Sequence, residues 1–388
     1  MRPLPGCLKP GQEGKVCRLI KCLYGTQQAG FEWYETLREF FVEIRFTQSA
    51  VDHVVFFRHE GEFSSVVSIS MDDMAIFGNT IESINWVKGE FKKQFEISDL
   101  GEIKWLLGLE VKYNKAARTL SISQSVYVDK LVEHFGLNDA NTISTPFEPG
   151  TILSSDQSSS TPRQTADMQN IPYKELVGSI TWSALATRPD ILFPSSTLSQ
   201  FMQNPSHAHW EAGKRVVCYL KGTRDYALNL TNPDEGIIAY VDADWGSQHH
   251  RHSILGHVVS LAGMLIAWGS KKQSIVALSS MEAEYVVMTN ALKDVLWLRN
   301  LIAEIRMPIT TPTLLHCDNQ GAIALTHNNK FHPQTKHIDI CYHFIREAVE
   351  NDHVLLLYCP MDTMIADVLT KALPHSKLLR FVKMLGLF

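Results

Sequence analysis

Four acidic residues near the C-terminal end sit where chemistry can use them. Asp242 lies inside the apolar run IIAYVDADW, and Glu284 lies in the first turn of the helix-like stretch SSMEAEYVVM. Asp318 ends TLLHCD, and Asp367 falls inside MIADVLTK. Hard divalent cations such as Mg²⁺ take oxygen ligands, a few carboxylates completed by water and substrate phosphates. Two such ions ~3.5–4 Å apart can clamp both the attacking water and the leaving oxygen of a phosphodiester. Without a cation, clustered carboxylates repel one another, so stability alone gives little reason to gather them. Each acid also has a plainer use: Glu284 as an acid favoured at a helix N-terminus, Asp318 and Asp367 as N-caps. Spacing by itself leaves both uses open.

A second acidic pair, Asp72 and Asp73, stands in SISMDDMAIFG between two β-rich runs. Side chains alternate along a strand, so adjacent aspartates share a direction only at a turn. A tight hairpin tip supplies one. The cluster HHRHS, His249 to Ser253, reads as a solvated turn, because consecutive loop residues rarely converge on one ion.

These residues need elements to hold them. AGFEWYETLREFFVEI has Phe31, Tyr34, Leu37 and Phe41 at helical spacing. VVFF and FSSVVSIS read as strands, and a helix is predicted from Thr80 to Phe95 with Thr80 as N-cap and Glu82 in its first turn. Another helix is predicted over Ser125 to Phe135. From Glu148 to Asn170 the chain is rich in Ser, Thr, Gln and Pro and reads as an exposed linker. Tyr173 to Leu228 reads as helical, with Trp210, Tyr219 and Trp182 as core residues, as are Trp33 and Trp297 elsewhere. After Gly236 come three consecutive strands, a long helix and then alternating helices and strands, a pattern that predicts a mixed sheet flanked by helices.

The bulk numbers set bounds. With 388 residues the chain has room for two or three domains, and 45% apolar against 20% charged residues is an ordinary globular balance. A formal net charge of -5 advertises no nucleic-acid binder, although a local groove can be basic inside an acidic protein. Seven cysteines, with no CxxC pair, predict reduced thiols in an intracellular protein. The first residues lack the apolar core of a signal peptide. The longest apolar run, around Val258 to Trp268, is too short to span a bilayer.

Taken in order, AYVDADW, KKQSIVALSSMEAEYVVM, LHCDNQGAIAL, KHIDICYHFIRE and MIADVLTKALP resemble the ribonuclease H domain of copia-type LTR retrotransposon polyproteins. GKVCRLIKCLYGTQQAGFEWY, the SMDD turn, DLGEIKWLLGLEV, LATRPDILF and KRVVCYLKGT resemble the reverse transcriptase that precedes it. The resemblance covers essentially the whole chain.

It implies an α/β (α+β) fold with four parts: a partial reverse transcriptase palm and thumb over 1–147, a polar linker over 148–170, a helical connection over 171–230 and a ribonuclease H-like domain over 231–388. It assigns the metal-binding carboxylates to Asp242, Glu284, Asp318 and Asp367, with Asp244 and Glu282 as supporting acids. In the palm it assigns Asp72 as the main ligand and Asp73 as its support, and it puts Gly25 and Gln28 near the template and the incoming nucleotide. Lys271 and Lys272 would hold phosphates or, in the plainer reading, end a strand in solvent. His337 lies in the family's KHID segment and reads as structural.

The cofactor implied is Mg²⁺, with Mn²⁺ as its substitute. The implied partners are an RNA–DNA hybrid, template-primer and other retrotransposon polyprotein products, with no membrane, and the setting is a cytoplasmic particle with nuclear entry. Three departures count against polymerase activity. Ser70 replaces a usual Tyr, Thr26 and Gln27 replace a usual Leu-Lys, and a third palm aspartate is not found, so the fingers and first catalytic strand are expected to lie upstream. The expected activity is ribonuclease H cleavage. The alternative is an inactive retrotransposon relic that at most binds nucleic acid. A transposase or integrase, which uses acids on a similar sheet, would not carry the SMDD hairpin.

Overall fold

The computed structural model describes residues 16, 18, 22–23, 25–71, 73–232, 234–246, 251–274, 276–306, 309–326 and 339–388. The chain forms two compact units, Met1–Gly101 with Asn300–Pro308, and Glu102–Arg299 with Ile309–Phe388.

In the first unit, helix α1 (Gln27–Glu43) is followed by strands β1 (Thr47–Gln48), β2 (Val55–Glu60), β3 (Phe63–Ser70) and β4 (Asp73–Gly78), then by α2 (Ile81–Gln94). The strands form an antiparallel sheet in chain order. Thr80 caps α2 as predicted, its hydroxyl accepting from the Ser83 amide at 3.2 Å. The core joins Leu37, Phe40 and Phe41 of α1 to Val87 and Phe91 of α2 and to Phe56 of β2, with the Phe41 and Phe56 rings stacked at 4.4 Å. Phe31 does not join it and is 62% exposed, because α1 buries residues only in its C-terminal half. Most of the expected strand in KVCRLIKC lies outside the described residues.

The second unit opens with β5 (Trp105–Leu106), β6 (Leu109–Asn114) and β7 (Thr119–Ser123), then α3 (Ser125–His134). Four helices come next: α4 (Pro162–Gln169), α5 (Tyr173–Ala186), α6 (Leu192–Ser199) and α7 (His207–Gly222). Strand β8 (Ala227–Asn229) returns to pair with β7. It leads into β9 (Ile237–Asp244), β10 (Ile254–Leu261), β11 (Met264–Lys272), α8 (Ser280–Glu304), β12 (Thr313–Cys317) and α9 (Gln320–Thr326). The chain closes with α10 (Asp339–Glu350), β13 (Val354–Tyr358), a 3₁₀ turn at Ile365–Leu369 and α11 (His375–Met384).

The large sheet has the order β11-β10-β9-β12-β13. Its first three strands form an antiparallel meander, and β12 and β13 run parallel to β9. This is the predicted mixed sheet. Parallel neighbours require helical crossovers, and α8, α9 and α10 lie in those connections.

The boundary between the compact units falls near residue 101, inside the span expected to be the reverse transcriptase part. Residues 102–147 pack with the C-terminal part of the chain, because β7 pairs with β8 and α3 buries Val128, Leu131 and Val132 in one core with α5, α7, β10 and α11. The helical connection belongs to the same core. The Trp268 indole donates to the Ala184 carbonyl at 2.9 Å, and the C-terminal Phe388 exchanges backbone bonds with Ala227 at 3.2 Å. The polar segment expected to be a bare linker carries α4, which the Thr161–Gln164 capping box and Pro162 at its first turn start, and which buries Met168. Of the aromatics read as core, Tyr219 is buried, whereas Trp182 at 45%, Trp33 at 37% and Trp297 at 37% keep exposed faces.

Candidate functional site

Asp242 sits two residues before the end of β9, and its side chain is buried at 3% exposure. Gly256 on β10 pairs with it on one side. On the other side β12 runs parallel to β9 as far as Cys317, opposite Val241, which brings Asp318 to the level of Asp242. Glu284 enters from the first turns of α8, and Asp367 from the 3₁₀ turn that packs across β9 and β10. Four elements therefore deliver four carboxylates to one end of the sheet.

The contacts fix each acid. The Ala243 amide donates to Glu284 Oε1 at 3.0 Å, and the Cys317 thiol lies 3.6 Å from Glu284 Oε2. The Thr370 hydroxyl donates to Asp242 Oδ2. Lys371 Nζ lies 2.8 Å from Asp367 Oδ1 and 3.6 Å from Asp242 Oδ2, so one ammonium bridges two carboxylates. Lys377 Nζ holds the other Asp367 oxygen at 2.7 Å. Among the described residues, ligand atoms of Glu284, Cys317 and Asp318 all lie within 4.8 Å of one another.

The electrostatics match this crowding. Burial pushes the Asp242 carboxyl up to about 7, against the pull of Lys371, with Asp367 and Asp318 adding to the rise. Burial, then Asp242 and Asp318, push Glu284 well above the usual carboxylate range. Asp318 is raised by burial and by Asp367, with Lys371 opposing. For Lys371, burial favours the neutral amine, but Asp242 and Asp367 outweigh it and hold the ammonium charged.

This crowding makes the stability of the metal-free protein depend on pH. A carboxyl whose folded pKa is raised binds more protons folded than unfolded, so stability falls as pH rises from the unfolded value of 3.8 to about 7. A cation that binds the ionised cluster then stabilises the fold by mass action. Mg²⁺ is expected to raise the melting temperature more at pH 8 than at pH 5, by a few degrees. Equal shifts at both pH values would contradict the reading of these acids as a cation site.

The glycine at 256 is part of the same construction. A Cβ there would lie 2.6 Å from Thr370 Cγ2, 2.9 Å from Leu369 Cβ and 3.1 Å from the Ala366 carbonyl. Gly256→Ala is expected to cost about 1–3 kcal/mol by overpacking and to displace the turn that carries Asp367 and Thr370. Denaturant unfolding checks the first expectation, and the Mg²⁺-induced melting shift checks the second.

The remaining residues singled out in the sequence lie apart from this cluster or at its edge. Asp73 is the first residue of β4, paired with Ser70, and is exposed. Asp72 lies outside the described residues. The turn at Met71 has a positive φ of 52°, and the Trp33 indole donates to its carbonyl at 3.3 Å, which ties the hairpin tip to α1. Gly25, with φ 83°, precedes the α1 N-cap Thr26, and Gln28 is exposed in the first turn of α1.

Lys271 and Lys272 end β11, two strands from β9 and at the same end of the sheet as Asp244, with Lys272 bonded to Gln200 Oε1 at 3.2 Å. Glu282 accepts from the Leu278 amide at 2.7 Å and so serves the start of α8. His337, His249 and His250 lie outside the described residues. His252 Nδ1 meets the Gln273 carbonyl at 2.8 Å. Sequence reasoning missed Lys371, Lys377, Thr370 and Cys317. The only signal for them was adjacency: Cys317 precedes Asp318, and Lys371 stands one helical turn after Asp367.

Known proteins resemble this chain in sequence. Residues 1–149 match the family model described as reverse transcriptase (RNA-dependent DNA polymerase). Over 369 residues the chain is 34% identical to a retrovirus-related Pol polyprotein from transposon TNT 1-94 of Nicotiana tabacum, covering 95% of this chain and 28% of that protein. It is 33% identical over 384 residues to the corresponding polyprotein from transposon RE1 of Arabidopsis thaliana, covering 98% of this chain and 26% of that protein. The chain thus spans about a quarter of the length of these curated relatives. A solved LC11 RNase H1 in complex with an RNA/DNA hybrid is 15% identical, with a TM-score of 0.27, over 34% of this chain and 93% of that one.

Proposed function

We propose that this chain, a homologue of copia-type retrotransposon Pol polyproteins with a reverse transcriptase region followed by a five-stranded mixed sheet, cleaves the RNA strand of RNA–DNA hybrids with Mg²⁺. The observation that carries this reading is the meeting of Asp242, Glu284, Asp318 and Asp367 from four separate elements, three of them with carboxyls driven upward by burial and mutual repulsion. An oxygen-rich, strongly anionic set of this kind fits Mg²⁺ or Mn²⁺.

The four carboxylates would hold the cations. When bound, these polarise the scissile phosphate and lower the pKa of the attacking water. The chain's own groups do the rest. The Ala243 amide and Thr370 hydroxyl aim Glu284 and Asp242. Lys371 and Lys377 hold Asp367 in place through ion pairs at 2.8 and 2.7 Å, and the Lys371 ammonium would also be within the site to meet a substrate phosphate. Lys271 and Lys272 would grip phosphates farther along the duplex, and contacts to 2′-hydroxyls would select the RNA strand.

In the first unit, Asp72 and Asp73 stand as the palm acids, with Gly25 and Gln28 toward template and nucleotide. As half of a metal site the two acids would bind Mg²⁺ weakly, and the remaining palm would hold template-primer. Other polyprotein products as partners and a cytoplasmic particle with nuclear entry are inferred from the same homology. Among the described residues no helix is long and apolar enough to cross a membrane.

The test uses the whole chain, because the helical connection and the C-terminal helix α11 share one core. Labelled hybrid is incubated with and without Mg²⁺ beside an Asp242→Asn control. Cleavage that needs both metal and Asp242 supports the reading, and none from folded protein makes the chain a relic at this site.

A further inference from the structure

Cys317 brings a sulfur into an otherwise oxygen-lined site. It ends β12 fully buried, with its Sγ 3.6 Å from Glu284 Oε2, and both fall with an Asp318 oxygen inside a 4.8 Å group. Mg²⁺ chemistry does not call for a thiol there, since Mg²⁺ takes oxygen ligands, and the sulfur's backbone partner is the Asn319 amide, which donates to it at 3.4 Å. A thiol does suit a softer ion. In a tetrahedral zinc site, Zn–S of about 2.3 Å and Zn–O of about 2.1 Å set the sulfur–oxygen edge at about 3.6 Å, which is the separation seen here. Asp318, half-buried at the rim, gives a cation a way in.

We propose that Glu284, Cys317 and Asp318, two of which belong to the Mg²⁺ set, form a second, thiophilic mode of the cation site, in which Zn²⁺ binds through sulfur and two carboxylates and blocks the cations of the nuclease reaction. The thiol proton leaves to solvent as the metal–sulfur bond forms. Zinc so held is inhibitory, because Glu284 and Asp318 are then committed to it. The inhibitory part rests on the nuclease reading above. The binding part does not.

The test therefore has two arms, both on the full chain. In the first, Cd²⁺ stands in for Zn²⁺ and is titrated into metal-free protein. The wild type is expected to show thiolate-to-metal charge-transfer absorption in the near ultraviolet beyond what Cys317→Ser and Cys317→Ala show. The ¹¹³Cd resonance of the wild type is expected to indicate one sulfur among oxygen ligands. Identical spectra for all three proteins, or an all-oxygen cadmium signal from the wild type, would overturn the proposal, and the cadmium signal needs no variant that must fold.

In the second arm, Zn²⁺ is added to Mg²⁺-supported hybrid cleavage, and each protein is read against its own zinc-free rate. At least tenfold weaker inhibition in Cys317→Ala is expected, and equal inhibition would overturn the proposal. If no protein cleaves with Mg²⁺, the nuclease reading has failed and the spectroscopic arm alone decides zinc binding.

Discussion

Asp242→Asn is expected to lower Mg²⁺-dependent hybrid cleavage by on the order of 10³-fold, the scale seen when one preorganised charge-stabilising group is removed. Asparagine keeps the shape of the side chain and can still accept from the Thr370 hydroxyl. What it loses is a charge that would help hold the cations. Asp242 faces Asp367 and Asp318, and it contributes to the upward push on Glu284. Its removal relieves repulsion, so the metal-free variant is expected to be at least as stable as the wild type above pH 7. The pairing of lost activity with retained or higher melting temperature separates a ligand from a packing residue. Activity within tenfold of wild type would remove Asp242 from the site, and a collapse of stability would make its role structural.

Arg188→Met is expected to destabilise the second unit by about 3–5 kcal/mol, because it leaves a buried carboxylate without its partner. Arg188 and Asp190 are each 1% exposed. The guanidinium grips Asp190 with two bonds, at 2.9 and 2.8 Å, and donates to the Thr223 carbonyl at 2.9 Å. The Tyr219 hydroxyl donates to the same carboxylate at 2.7 Å. This network ties the turn before α6 to the end of α7. The double variant Arg188→Met with Asp190→Leu is expected to recover most of the loss, since apolar replacement of a whole buried pair is often near neutral. Urea unfolding of wild type, single and double variants measures both. A single variant within about 1 kcal/mol of wild type would mean that water reaches the pair.

The elements were legible in the sequence because each arises from short-range physics. Thr80 before IESINWVKGEF caps a helix at the residue predicted, and IIAYVDAD alternates as a strand must. The four carboxylates were legible too, since each occupies the end of such an element and the motifs around them resemble one family.

What the sequence could not supply was everything that depends on residues far apart in the chain. The boundary near residue 101 arises from β7 meeting β8 more than a hundred residues later, a pairing that no local pattern encodes. Exposed faces on Trp182 and Trp297 depend on which neighbours cover a helix, and period alone does not say. The salt links of Lys371 and the thiol of Cys317 gain meaning only when β9, β12, α8 and the Ile365–Leu369 turn converge. Local propensity fixes where strands and helices form. Only the tertiary structure decides which charges meet, because Coulomb and burial energies depend on distance in space rather than along the chain.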